Sequence, residues 1–269
     1  MPHVFDQALR LQPASEHHFS GATHPAYANM VGPFGGVTGA ALLQAALQHP
    51  ARAGDPIALT VNFAGPVADG VFDIEALPLR TNRSTQHWSL LLTQAGVPCA
   101  SGSAVFAQRR STWSAPEARP PADMPAADVL ERAPVRGAPA WVRCYDMRFA
   151  PGEEAFGLDG QEQTHSVSRL WVRDEPPRPL DFAALAAISD SFFPRVFVRR
   201  RRLAAIGTVT LSTYFHADAV LLAAQGERHL LGTARALTFR DGYHDQSAEV
   251  WSDAGQLLAS THQMVYYRD

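Results

Sequence analysis

One carboxylate in this chain is hard to explain as scaffolding. Asp190 stands at the tail of the apolar run Phe182–Ile188. An acid there is costly to bury unless it has hydrogen-bond partners or a chemical task. It also faces the unfavourable end of its own helix dipole. Two readings stay open. The acid caps a turn beside Ser189 or Ser191, or it is a base whose pKa is raised by apolar surroundings until it can accept a proton near neutrality. The matching stretch of an earlier apolar run carries Gly39, Ala40 and Ala41 and no acid. Other candidates are weaker. Ser101-Gly102-Ser103 lies mid-strand, where no strained nucleophile elbow is expected. The chain lacks GxSxG, GxGxxG, a P-loop and HExxH. The histidines, His17-His18 included, lack metal spacing with a carboxylate, so no metal site and no cofactor are expected. The two cysteines, Cys99 and Cys144, supply neither a disulfide framework nor a zinc set, and Cys99 reads as a buried strand residue.

Positioning such an acid needs a frame, and the chain writes its frame twice. Ala95–Arg109 and Ala254–Arg268 share a Gly-bearing turn, an apolar strand with an Ala-Ser step and a closing Arg, 159 residues apart. Upstream of each lies a matching strand, Leu59–Phe63 and Leu211–Phe215, and upstream of those an apolar helical run, Gly39–Leu47 and Phe182–Ile188. The Gly- and Pro-rich segment Asn29–Gly36 runs straight into the first helix, expected from Val37 to His49, apolar nearly all round and therefore buried. Asp181 is a natural N-cap for the second helix. After a possible first strand at His17-His18-Phe19, strands are expected at Ala58–Phe63, Val71–Leu79, Thr85–Gln94 and Ala100–Gln108. The second half is expected to place them at Trp141–Phe149, Ser166–Arg173, Gly207–His216, Val220–Gln225, His229–Phe239, His244–Ser252 and Leu257–Tyr267. Six prolines between Pro116 and Pro139 mark a stiff connection. The expected organisation is an N-terminal unit over 1–110, a Pro/Ala-rich linker over 111–139 and a C-terminal unit over 140–269. The class is α+β, each unit an antiparallel sheet wrapped around a central apolar helix.

The apolar helix ending Ser189-Asp190, the string Thr208–His216 closing in Phe-His, and Ala259-Ser260-Thr261-His262-Gln263 together resemble the TesB-type (type II) acyl-CoA thioesterases, which are double-hotdog proteins. Phe34-Gly35-Gly36 is similar to that family's glycine-rich entry to its first hotdog helix. The resemblance covers roughly residues 15–269. It implies that Asp190, Thr208 and Gln263 jointly hold a hydrolytic water. The segment between Asp190 and Thr208 is shorter and more basic than the family's, so Thr208 is aligned on the downstream Phe-His anchor. Thr210, two residues on and expected on the same side of the strand, is the alternative. The residue types suit the chemistry: a base for the water's proton, and a hydroxyl and an amide to orient the water. Free N–H groups at the helix start behind Gly35 and Gly36 suit a developing oxyanion on the thioester carbonyl. The run Arg199, Arg200, Arg201 offers guanidinium forks to the phosphates of coenzyme A, or is a solvated loop.

Composition narrows the alternatives. At 269 residues the chain has room for two fused units of about 100–150 residues. It is 46% hydrophobic and 18% charged, which supports a core. A net charge of −3 gives no basic excess for nucleic acid or an anionic membrane surface. No signal-like opening and no long apolar stretch stand out, so a cytoplasmic location is expected. The resemblance implies an acyl-CoA substrate and a homo-oligomer. A non-catalytic hotdog protein binding acyl-CoA or acyl chains is the alternative function. A hotdog hydratase fits less well, because no Gly-Asp-x-Asn-Pro-like string is present.

Overall fold

The computed structural model describes residues 2–153 and 158–268. Helices are α1 (Val4–Ala8), α2 (Gly35–Gln48), α3 (Phe182–Ile188), α4 (Arg195–Arg200) and α5 (Ala219–Gln225). Strands of the first half are β1 (Gln12–Pro13), β2 (His18–Ala22), β3 (Asp55–Phe63), β4 (Val71–Thr81), β5 (Thr85–Gln94) and β6 (Val97–Ala107). Those of the second are β7 (Tyr145–Phe149), β8 (Ser168–Asp174), β9 (Ala205–Phe215), β10 (Leu230–Arg235), β11 (Phe239–Arg240), β12 (Tyr243–Trp251) and β13 (Leu257–Arg268). They form one antiparallel sheet in the order β1-β2-β4-β5-β6-β3-β9-β13-β12-β10-β8-β7, with β11 beside β12. The fold is a double hotdog: two sheets of like topology, each curled around an apolar helix, joined edge to edge at β3 and β9.

The helices are buried because their sequences leave them no polar face. Every residue of α3 is buried, and so is α2 from Gly36 to Leu43 and at Ala45 and Ala46. Asp181 caps α3 by accepting from the Ala184 N–H at 2.8 Å, worth about 1 kcal/mol. The two helices run antiparallel. The start of α2 meets the end of α3, where a Cβ on Gly36 would lie 2.5 Å from Ala187 O. At the other end Gln44 and Gln48 share a cleft with Asp181 and Ala183.

The duplication has a visible axis. Thr60 of β3 and Ser212 of β9 are sequence equivalents in the two repeats, and they are direct partners across the β3–β9 seam. Their hydroxyls hydrogen-bond at 2.9 Å. A β-bulge also recurs at equivalent places, between Pro56 and Ala58 against β6 and between Thr208 and Thr210 against β13.

Three local expectations are corrected. Val220–Gln225 is not a strand but most of α5. Asp218 caps this Ala/Leu-rich segment through the Leu221 N–H at 2.8 Å, and Gly226 ends it at positive φ. The stretch expected to be a strand from Trp141 begins instead as a 3-10 turn, Ala140–Cys144, after Pro139; only Tyr145–Phe149 pairs. The basic run does not sit in a loop: Arg199 and Arg200 lie on the last turn of α4, the end of the dipole that favours cations, and Arg201 follows in a left-handed conformation.

Candidate active site

Asp190 lies in the turn just beyond α3, and the antiparallel packing of α2 and α3 delivers it to the first turn of α2. A Cβ on Gly35 would stand 2.7 Å from its Oδ2. Only glycine leaves space for the carboxyl here. The Gly36 N–H acts on the same carboxyl. The first amides of a helix have no intrahelical acceptor, so they attract an anion.

Gln263 reaches Asp190 from the sheet. Its Nε2 donates to Asp190 Oδ1 at 2.7 Å. Residues 73 positions apart in sequence thus form one polar unit. Alternation along β13 places Gln263, 3% exposed, on the inner face, while its neighbour Met264, 40% exposed, faces out. Burial pushes the Asp190 carboxyl up to about 7, and the Gln263 and Gly36 donors hold it back. The acid is therefore balanced between its two protonation states at neutral pH, the condition for a general base.

Thr208 faces the same interior. It stands opposite Val265, which shares Gln263's face, and so lies diagonally across the ladder from Gln263. Among the described residues no hydrogen bond joins its hydroxyl to Asp190 or Gln263. Thr210 stands opposite the outward-facing Met264, because the bulge at Val209 inserts an extra residue. Thr208 and Thr210 therefore lie on opposite faces. The expectation that Thr210 could substitute from the same side is overturned by this one-residue irregularity.

Side chains that sequence reasoning did not assign complete the surroundings. Phe63 approaches Gly35. Phe34, at the N-cap of α2, stacks on Trp141 at 4.2 Å, and Trp141 neighbours Phe193 at 5.9 Å. Two buried hydroxyls, Ser191 Oγ beside Asp190 and Thr261 Oγ1 two residues before Gln263, have no protein partner among the described residues. Arg195, at the start of α4, is buried to 1% exposure, although it belongs to the residue type least expected inside. Its signal was present in the sequence as an Arg set between Phe192-Phe193-Pro194 and Val196-Phe197, an apolar setting that invites burial. The neighbouring run is different. Arg199 pairs with Glu162 at 3.4 Å and Arg201 with Asp159 at 2.6 Å, so both guanidinium groups are already engaged within the chain. Among the described residues, no cluster of His, Cys, Asp or Glu could hold a metal ion, and no helix is long and apolar enough to cross a membrane.

The chain as a whole has known counterparts. Residues 24–107 match the acyl-CoA thioesterase N-terminal domain, and residues 116–267 match the acyl-CoA thioesterase C-terminal domain. Among solved structures, the chain is similar to a hot-dog-fold protein of unknown function from Alicyclobacillus acidocaldarius, with 46% identity, a TM-score of 0.94 and coverage of 100% of this chain and 99% of that one. A tesB protein of Mycobacterium avium subs paratuberculosis shares the fold at 18% identity and a TM-score of 0.79, covering 100% of both chains. The acyl-CoA thioesterase II TesB2 of Mycobacterium marinum does so at 19% identity and 0.77, covering 98% of each. No curated protein matches. With each half matching its own thioesterase domain in chain order, the chain belongs to the acyl-CoA thioesterase family of thioester hydrolases.

Proposed function

We propose that this protein hydrolyses an acyl-CoA to a carboxylic acid and coenzyme A, with Asp190 as the base, Thr208 and Gln263 orienting the attacking water, and the start of α2 stabilising the oxyanion. The observation that carries this reading is the hydrogen bond of 2.7 Å between Gln263 and Asp190, made where α2 presents its first amides. Asp190, with its carboxyl near 7, takes a proton from water as the water oxygen bonds to the thioester carbon. Negative charge then gathers on the former carbonyl oxygen. The Gly36 N–H already serves Asp190, so within the Gly35-Gly36 pair the oxyanion donor falls to Gly35. Collapse breaks the carbon–sulfur bond, and Asp190 returns its proton to the departing thiolate. Atoms and charge balance without a cofactor.

Thr208 supplies the remaining hydroxyl from the inner face of β9. The CoA phosphates are the chemical partners proposed for Arg199, Arg200 and Arg201, and they would exchange there with Glu162 and Asp159. A cytoplasmic homo-oligomer remains part of this proposal.

The test is thiol release from a panel of acyl-CoAs. Asp190→Asn is expected to lower kcat by about 10³-fold or more, and Gln263→Ala by about 10–10²-fold. Unchanged release in both variants overturns the assignment. Saturable binding of acyl-CoA by the wild type with no release identifies a binder instead.

A further inference from the structure

Asp190 and Gln263 come from separate elements, and their contact of 2.7 Å must survive whatever motion the turn after α3 allows. Two buried side chains meet behind that turn. Arg195 donates through Nε to Phe193 O at 2.9 Å and to Gln246 Oε1 at 3.1 Å, and its Nη2 also donates to Phe193 O. On the far side its Nη1 donates to Ser168 Oγ at 2.7 Å and Ser166 O at 3.0 Å. Gln246 in turn donates through Nε2 to Phe192 O at 3.4 Å. The carbonyls of Phe192 and Phe193 are thus both held, two and three residues past Asp190. Gln246 sits on β12 directly opposite Gln263 on β13, with both side chains on the inner face. The ring of Phe192 is seated on Gly232 of β10, where a Cβ would come within 2.6 Å of it.

A fully buried cation with no carboxylate partner among the described residues is a poor choice for stability alone. Its desolvation is costly, and apolar residues of like volume commonly replace such groups without loss. A guanidinium, however, can hold a backbone carbonyl and a side-chain amide at once in fixed geometry, which a hydrocarbon cannot do. It also decides which end of the Gln246 amide faces it, leaving the NH₂ end for Phe192 O.

We propose that Arg195 and Gln246 are positioning residues for the Asp190–Gln263 pair: together they pin the turn that carries the acid to the strand that carries its amide donor. This rests on the hydrolytic reading above for its purpose. Its geometry and its test do not need turnover.

The test reads the Asp190 carboxyl directly, by ¹³C NMR titration of the unliganded full chain, with the resonance assigned by its loss in Asp190→Asn. The Gln263 donor lowers this midpoint, so loosening it lets burial act unopposed. Arg195→Met and Gln246→Met are each expected to raise the midpoint by about 0.5–1 pH unit. In a Gln263→Met background the same changes are expected to add nothing further, since the contact they hold is gone. Ser168→Ala, which removes an Arg195 acceptor on the side away from Gln246, is expected to lower Tm and leave the midpoint in place. Where Arg195→Met does not fold, Arg195→Lys keeps the buried charge without the fork and is expected to shift the midpoint in the same direction. In turnover, the folded variants are expected to lose about 10-fold or more in kcat with KM within about twofold. A midpoint unmoved in folded Arg195 and Gln246 variants, whatever their Tm, overturns the proposal. A wild type that releases no thiol overturns the hydrolytic reading while leaving the titration result standing.

Discussion

Asp190 carries a cost that should be measurable without substrate. Its carboxyl is pushed from the ordinary range up to about 7, so between roughly pH 4 and 7 the native chain binds a proton that the unfolded chain has released. Stability therefore falls as pH rises through that window. Above it the folded protein bears the full cost of a partly buried carboxylate. Asp190→Asn removes the cost and is expected to raise Tm at pH 8 by about 2–6 °C, with little change at pH 4.5, measured by calorimetry across pH. A gain confined to low pH would contradict the raised carboxyl. On the proposed mechanism, activity and stability pull in opposite directions at this residue, as expected of a site that holds a charge ready for use. Gly35 is the complementary case. A Cβ there meets Asp190 Oδ2 at 2.7 Å, so Gly35→Ala is expected to displace the carboxyl and lower kcat by about 10-fold or more. Circular dichroism should show the fold retained, because the crowding is against a side chain.

At the scale of elements, one β-bulge decides which threonine faces the inner side of the sheet. Without it, Thr208 and Thr210 would share a face by simple alternation. With it, Thr208 opposes Val265 inside and Thr210 opposes Met264 outside. Thr208→Val is expected to lower kcat by about 10-fold or more, and Thr210→Val to leave kcat within about twofold, measured side by side on one acyl-CoA. The reverse ranking would show that the bulge does not control access. Packing of α2 on α3 is the second decisive feature at this scale. Gly36 lies so close to Ala187 O that no side chain fits between the helices, and this approach brings Asp190 over the start of α2.

Across the whole molecule, the pseudo-twofold axis through Thr60 and Ser212 generates two related sites, of which one keeps the polar set. The repeat equivalents of Thr208 and Gln263 are Pro56 and Ala104, which offer no side-chain donor or acceptor. At the related end of the helix pair, Asp181 caps α3 itself. Arg178 joins Asp6 of α1 to Asp181 and lies over the Phe5 ring at 5.1 Å, so the acid at that end is already paired with a cation. One active centre per chain is therefore expected. Calorimetric titration with a non-hydrolysable acyl-CoA analogue on Asp190→Asn should give one equivalent bound per chain, and two equivalents would reject the asymmetry.

The sequence by itself was enough to show the duplication, the two buried helices, the Asp181 cap and the oddity of an acid after an apolar helix, because each is written in local composition or in a repeat. It could not show that Gln246 stands behind Gln263, or that Thr208 and Thr210 face opposite ways. Those depend on strand register and on a single inserted residue, and local periodicity carries no information about the partner strand. The meeting of Asp190, Gln263 and the first turn of α2 was decided only when two helices and a sheet, distant along the chain, were packed at glycine-limited distance.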